Sequence, residues 1–197
     1  LCGIKEERSC CEAEMTTKYQ SNMQKAVEKN QQFHDTKDKK INILIRTSNR
    51  PECFKKCIDS ILQQNYQNYQ VYICYDKKES LDYLNEYQHY PQICFFYVEE
   101  TSTEKYKFNL YCNQLLEKVE DGYIMFLDDD DILIGNRTLE IINWHLAMNK
   151  MIIWNFLRPD KLVFPKDLNK ELILGEIDTS SICFHHSLKE LSQWGDK

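Results

Sequence analysis

Four consecutive aspartates, Asp128-Asp129-Asp130-Asp131, follow the apolar run Tyr123-Ile124-Met125-Phe126-Leu127. Adjacent carboxylates repel one another and raise each other's pKa unless a cation is present. A surface loop tolerates such a run in water. Delivery by a buried apolar strand to the ligand edge of a sheet is harder to explain as ordinary surface. All-oxygen ligands favour a hard divalent ion, Mg²⁺ or Mn²⁺, held by one or two carboxylates with substrate phosphates completing the octahedron. An ion there would neutralise charge building on a departing diphosphate.

Two other segments carry groups of the complementary kind. Arg46-Thr47-Ser48-Asn49-Arg50-Pro51 follows the apolar Ile43-Leu44-Ile45. Its two guanidiniums, its hydroxyls and the start of a helix converge where an anion would sit. The alternative is that Thr47, Ser48 or Asn49 merely caps that helix. Tyr75-Asp76-Lys77-Lys78 closes a second apolar run. A carboxylate there can accept a hydrogen bond from a base or ribose and the lysines can approach phosphates, or the segment is a solvated turn.

These segments need a scaffold that brings strand ends together. The spacing predicts strands at Ile43–Ile45, Val71–Tyr75, Ile93–Val98 and Tyr123–Leu127, with shorter strand-like pieces at 151–157, 161–164, 171–174 and 181–184. Helices are expected from Pro51 through the stripe Phe54, Cys57, Ile58, Ile61, Leu62, and over about 80–90, 105–118, 137–148 and 187–194. Alternation of β and α units implies an α/β fold with a mostly parallel central sheet flanked by helices on both faces. Ligands bind such sheets at the carboxyl ends of the strands, where all three segments fall.

The chain has 197 residues, 42% of them apolar and 28% charged, enough for one sizeable core. With 31 acidic and 25 basic residues its formal charge is −6, which argues against a nucleic-acid partner. No apolar run approaches the roughly 18 residues of a membrane span. Residues 1–40 are polar; Met15, Tyr19, Met23, Ala26 and Val27 keep a helical spacing, so a helical N-terminal extension is expected before a domain over 41–197, with a disordered tail as the alternative. Of nine cysteines, Cys57, Cys74, Cys94 and Cys183 sit inside apolar patterns, while Cys2, Cys10 and Cys11 cluster in the extension. The odd number predicts a reducing, cytoplasmic setting. Peripheral membrane association, or an anchor lost upstream of Leu1, remains the alternative.

The segment from Asn42 to Tyr75 resembles the opening of family 2 glycosyltransferases of the GT-A fold. The likeness rests on Ile45-Arg46-Thr47-Ser48-Asn49-Arg50-Pro51, on Cys57-Ile58-Asp59-Ser60-Ile61-Leu62-Gln63-Gln64 and on the strand ending at Asp76. Gly122 to Asp131 is similar to that family's strand and DxD motif, and Asn113 to the Asn that precedes the strand in many members. The resemblance covers roughly 41–190. It implies metal-dependent transfer of a sugar, with inversion, from a nucleotide-diphosphate donor to a glycan or other hydroxyl acceptor. It also implies that Thr47, Arg50 and Asn113 lie near the donor, and that Asp76 contacts the base. Asp128 would reach the ribose or the metal, and Asp130 would coordinate it. A late histidine completes the metal shell in some GT-A enzymes, which makes His185 of the His185-His186 pair the candidate third ligand, with a hydrogen-bonded structural histidine as the alternative. Trp144, Trp154 and Trp194 read as core, with Trp194, near the chain end, the best of the three for stacking on an acceptor sugar as the alternative.

Two departures stand out. Asp76 is followed by Lys77-Lys78-Glu79-Ser80 where many members have Asp-Asp-Gly-Ser, and no Glu-Asp pair follows the DxD motif to supply the general base. The candidates that remain are Asp178 and Asp196; Asp178, ahead of the strand at 181–184, is the substitute expected here, with turn capping as the alternative. Two rivals follow. One is a sugar-nucleotide binding module without catalysis. The other is a haloacid-dehalogenase-like phosphatase, because Leu127-Asp128-Asp129-Asp130-Asp131-Ile132 also resembles that nucleophile motif.

Overall fold

The computed structural model describes residues 39–99, 107–168, 177–191 and 194. The expected helical extension lies outside the described residues, as do the strand-like piece at 171–174, Asp196, and Cys2, Cys10 and Cys11. In chain order the elements begin β1 (Ile41–Thr47), α1 (Pro51–Leu62), β2 (Tyr69–Tyr75), α2 (Leu81–Leu84), β3 (Ile93–Tyr97), α3 (Lys107–Glu117) and β4 (Tyr123–Phe126). They continue with α4 (Thr138–His145), β5 (Ile152–Ile153), β6 (Phe156–Leu157), β7 (Val163–Phe164) and β8 (Ile182–His185).

Six strands form one sheet in the order β3-β2-β1-β4-β8-β5, and β6 pairs with β7 as a separate ribbon. Strands β3, β2, β1 and β4 are parallel; β8 runs antiparallel to β4 and to β5. The mostly parallel sheet matches expectation, and the single reversed strand has consequences for the site. The register pairs Thr47 with Tyr75 and Leu44 with Phe126, so β1, β2 and β4 end on the same edge.

Period-two alternation explains why both faces are covered. Ile41, Ile43 and Ile45 of β1 join Phe54, Cys57, Ile58 and Ile61 of α1 in one buried cluster. Leu44 joins Tyr111, Cys112, Leu115 and Leu116 of α3 in the other. Pro51 opens α1, and its N-cap is Arg50 without a side-chain cap bond, so Thr47, Ser48 and Asn49 are not the caps. Thr47 and Asn49 are engaged elsewhere: Thr47 Oγ1 meets the Tyr83 hydroxyl at 2.8 Å, and the Asn49 N–H donates to Ser80 Oγ at 3.0 Å.

The helix expected over 80–90 is instead the four-residue α2 between 3₁₀ turns at Lys78–Ser80 and Asn85–Tyr87. That segment offers one helical turn of apolar anchors, Leu84 and Tyr87, which suffices to dock it but not to propagate a long helix. Gly122 (φ +79°) immediately precedes β4, where an added Cβ would stand 2.6 Å from the Lys40 carbonyl oxygen. Only glycine fits that backbone approach.

Candidate active site

The acidic turn is built by its neighbours. The Leu127 N–H extends the ladder to the Leu44 carbonyl at 3.0 Å, and the Asp131 N–H closes the turn on the Asp128 carbonyl at 2.9 Å. The Asp128 N–H donates to Ser180 Oγ at 3.1 Å, and the Leu133 N–H to Ser60 Oγ at 3.0 Å. Helix α1 and the 3₁₀ turn Thr179–Ser181 therefore hold the backbone of this run from two sides.

The four carboxylates have four different environments. Asp129 is fully buried and bound by Arg50, whose Nε donates to Oδ2 at 3.2 Å and whose Nη2 donates to Oδ1. Burial pushes its pKa up, while the Thr47 hydroxyl and Arg50 pull it back. Asp130 is 51% exposed and accepts from Arg50 Nη1 at 3.0 Å. Asp131 is raised mainly by burial, then by Asp178 and its own neighbours, and Ser180 opposes this. Asp128 is pushed up to about 6, first by burial and then by Asp131, Asp178 and Asp130, with Arg46 opposing. Repulsion along the run is thus secondary to burial for these groups, and one cation of the chain already holds two of them.

Asp76 stands at the end of β2, where its Oδ2 accepts from the Tyr111 hydroxyl at 2.8 Å. Desolvation and that hydrogen bond raise the Tyr111 hydroxyl well above its ordinary pKa, so it remains a donor. Arg46 lies over the rings of Phe108 and Tyr111, 5.2 and 5.6 Å from their centroids. The structure therefore gathers Arg46, Thr47, Arg50, Asp76 and Asp128–Asp131 on one edge of the sheet.

Other expected residues lie elsewhere or are otherwise engaged. His185 pairs with Tyr123, at the start of β4, and its ring lies 5.0 Å from the Tyr123 ring. Asp128 is five residues further along that strand direction, roughly 16 Å at about 3.3 Å per residue. Metal–oxygen and metal–nitrogen bonds span only about 2.0–2.2 Å, so His185 cannot share an ion with Asp128 in this fold. The reversed direction of β8 is the physical reason: it enters beside the acidic turn and carries its last residue to the opposite edge. His186 follows it there, its N–H donating to the Gly122 carbonyl at 2.9 Å.

Asn113 uses its side-chain amide as a clasp. Its Nδ2 donates to the Trp194 carbonyl and its Oδ1 accepts the Trp194 N–H, both at 2.9 Å. Trp194 meets Phe108 and Phe126 edge-on, which makes it part of the packing and not an open platform. Asp178 caps the 3₁₀ turn, accepting from the Ser180 N–H at 3.4 Å, and also lies close enough to Asp128 and Asp131 to raise both.

Sequence reasoning missed Tyr111, Phe108 and Ser180. A signal existed for the two aromatics. Helix α3 runs back from the carboxyl edge to the start of β4, so residues in its first turns must lie at that edge. Ser180 carried no comparable signal, since its contact with Asp128 spans 52 residues.

Among the described residues no group of three His, Cys, Asp or Glu side chains forms a ready-made metal cage. The donor set that is present, half-exposed Asp130 with Asp128 beside it, suits a hard cation that arrives with phosphate oxygens to complete its shell. Among the described residues no helix is long and apolar enough to cross a membrane.

The mostly parallel sheet in this strand order, with the acidic turn on its carboxyl edge, defines an α/β domain whose ligand edge lies at the ends of β1, β2 and β4. The chain belongs to glycosyl transferase family 2, whose model matches residues 42–187. The fold is also that of solved GT-A glycosyltransferases. S. aureus TarS 1-349 in complex with UDP-GlcNAc is 17% identical with a TM-score of 0.59, over 78% of this chain and 47% of that one. The mannosyltransferase PcManGT from Pyrobaculum calidifontis, in complex with GDP-Man and Mn²⁺, is 15% identical with a TM-score of 0.60, over 95% of this chain and 57% of that one. The chain thus spans about half the length of these structures.

Proposed function

We propose that this domain transfers a sugar from a nucleoside diphosphate donor to an acceptor hydroxyl, with Mn²⁺ or Mg²⁺ and with inversion at the sugar carbon. The observation that carries this reading is the convergence of Thr47, Arg50, Asp76 and Asp128–Asp131 at the carboxyl ends of β1, β2 and β4. The solved relatives bound to UDP-GlcNAc, and to GDP-Man with Mn²⁺, support the donor class and the metal.

Asp130 and Asp128 are the residues that would hold the ion, which supplies charge neutralisation to the departing diphosphate. Arg50 is positioned for the same charge. Its Nε and Nη2 are held on Asp129, and its fixed Nη1 donates to the more exposed Asp130, so it would face a phosphate once that carboxylate turns away. Thr47 and Tyr83 brace Asp129 from the other side, so the guanidinium is held in place before any ligand arrives. Asp76 accepts from the base. Asn113 supports the donor side only indirectly, by clasping Trp194 against α3.

In the transfer step the acceptor oxygen bonds to the sugar carbon as the bond to the diphosphate breaks, and a carboxylate takes the hydroxyl proton. Asp178 is the assigned base. Its place beside Asp128 and Asp131, on the edge where the donor would lie, supports that role.

The test is release of nucleoside diphosphate from UDP-, GDP- and dTDP-sugars with Mn²⁺, with and without sugar acceptors. Metal-dependent release that falls by about 100-fold in Asp178→Asn, with donor binding kept, supports the assignment. Donor binding with no release from any donor, across a broad acceptor panel, selects a binding module instead.

A further inference from the structure

The ribbon of β6 and β7 holds aliphatic side chains out in the open. Its turn is closed by the Arg158 N–H on the Leu162 carbonyl at 2.9 Å, the Lys161 N–H on the Arg158 carbonyl at 2.8 Å and the Leu162 N–H on Asp160 Oδ1 at 3.1 Å. Phe156 pairs with Phe164, and their rings stack with centroids 6.2 Å apart. Leu157 pairs with Val163, so these two side chains share the other face. Leu157, Leu162 and Val163 are all exposed, as is Leu168 beyond the ribbon. Keeping an ordered cluster of aliphatic side chains in water is unfavourable unless another surface receives it.

The charge around the cluster says which surface. The chain as a whole is −6, yet residues 156–168 hold three cations, Arg158, Lys161 and Lys166, against two acids, Asp160 and Asp167. Asp160 is engaged by Arg158 Nη2 at 3.3 Å. Arg158 and Lys166 both lie over the Phe164 ring, 5.2 and 5.8 Å from its centroid, which runs their stems along the ribbon. A second copy docked face to face would bring these like charges together. Aliphatic side chains edged by long cations suit the interface of an anionic bilayer, where the first enter the acyl boundary and the second meet lipid phosphates.

The root of the ribbon ties it to the acidic edge. Strand β5 runs antiparallel to β8, and the Trp154 N–H just after it donates to the Ser181 carbonyl at 3.1 Å. The Ser181 N–H donates in turn to the Asp178 carbonyl at 3.0 Å. The ribbon therefore starts on the edge that carries Asp178 and the acidic turn.

We propose that the β6–β7 ribbon docks this domain on an anionic lipid surface, with Leu157, Leu162 and Val163 entering the bilayer interface and Arg158, Lys161 and Lys166 meeting its phosphates. This goes beyond the transferase reading and stands without it.

The test is co-sedimentation of the full chain with vesicles of phosphatidylcholine, alone or with about one quarter phosphatidylglycerol. The wild-type protein should bind the anionic vesicles at least about tenfold more tightly than the neutral ones. Leu157→Ser combined with Leu162→Ser should lose at least about tenfold on the anionic vesicles. Lys161→Gln combined with Lys166→Gln should bring anionic binding down towards the neutral level. Leu162→Ser alone replaces the serine pair if thermal unfolding shows that the pair is not tolerated. No sedimentation with anionic vesicles, or equal binding by wild type and the serine variant, overturns the docking. A dimer in size-exclusion chromatography that the serine variant dissociates overturns it in favour of contact between copies. Nucleoside diphosphate binding, read in parallel, should be the same in all these proteins, so failure of the docking leaves the transferase reading standing.

Discussion

Arg50 grips Asp129 across 79 residues of sequence, with Nε donating to Oδ2 at 3.2 Å and Nη2 to Oδ1. This ion pair fastens the first residue before α1 to the turn after β4. It makes the most buried carboxylate of the acidic run a fixed support, and in the proposed function Asp128 and Asp130 are the ones left to hold the ion.

Breaking that pair from either side leaves an uncompensated charge. Arg50→Met should cost about 2–3 kcal/mol in urea unfolding, below the upper range for a fully buried pair because the guanidinium is 38% exposed. Asp129→Asn should cost a similar amount, and the double variant clearly less than the sum. Strict additivity would show that the pair does not couple the two elements.

Asp128 makes stability depend on pH. Its folded-state pKa, about 6, lies above the ordinary 3.8, so the folded protein binds the proton more readily than the unfolded chain does. That contribution destabilises above pH 6 and is relieved as pH falls through 6 towards 4. Asp128→Asn should therefore unfold at a higher temperature than wild type at about pH 7.5, with the gap shrinking towards about pH 4.5. A gap independent of pH, measured by differential scanning calorimetry, would contradict the assignment.

The two edges of the sheet should respond independently. Gly122→Ala meets the Lys40 carbonyl at 2.6 Å with φ at +79°, and should lose about 1–3 kcal/mol of stability. Its folded fraction should bind nucleoside diphosphate as wild type does, because Gly122 stands at the opposite end of β4 from Asp128.

His185→Gln gives the complementary check. With its ring against Tyr123 and its Nδ1 2.9 Å from Ser187 Oγ, it should leave Mn²⁺-dependent nucleotide affinity unchanged. A loss of about tenfold or more would restore it to the metal shell.

The parts of the fold read most easily from sequence are those whose period is local. The isoleucines of β1, the stripe Phe54-Cys57-Ile58-Ile61 of α1 and the apolar run into Asp128 each announce their element and its buried face. The place of Asp178 beside the acidic turn is legible in the same way, because it precedes a strand that starts there. What sequence did not disclose depends on strand direction and on distant partners. The antiparallel course of β8 removes His185 from the site, yet its residues would read the same in a parallel strand. By its position in sequence Asn113 reads as a donor contact, whereas in the fold its amide lies on the Trp194 backbone, 81 residues away. The Arg50–Asp129 pair was equally hidden, although an Arg at one strand end and a surplus of carboxylates at another invited the match.

The central claim, that the ends of β1, β2 and β4 form a metal-assisted diphosphate site, is tested most directly by calorimetric titration of nucleoside diphosphates into wild type and Asp130→Asn, with Mn²⁺ and with EDTA. The account predicts binding that needs the metal in wild type and is weakened by about 100-fold, roughly 2.7 kcal/mol, in the variant. Binding that is indifferent to EDTA, or equal affinities in the two proteins, would contradict it.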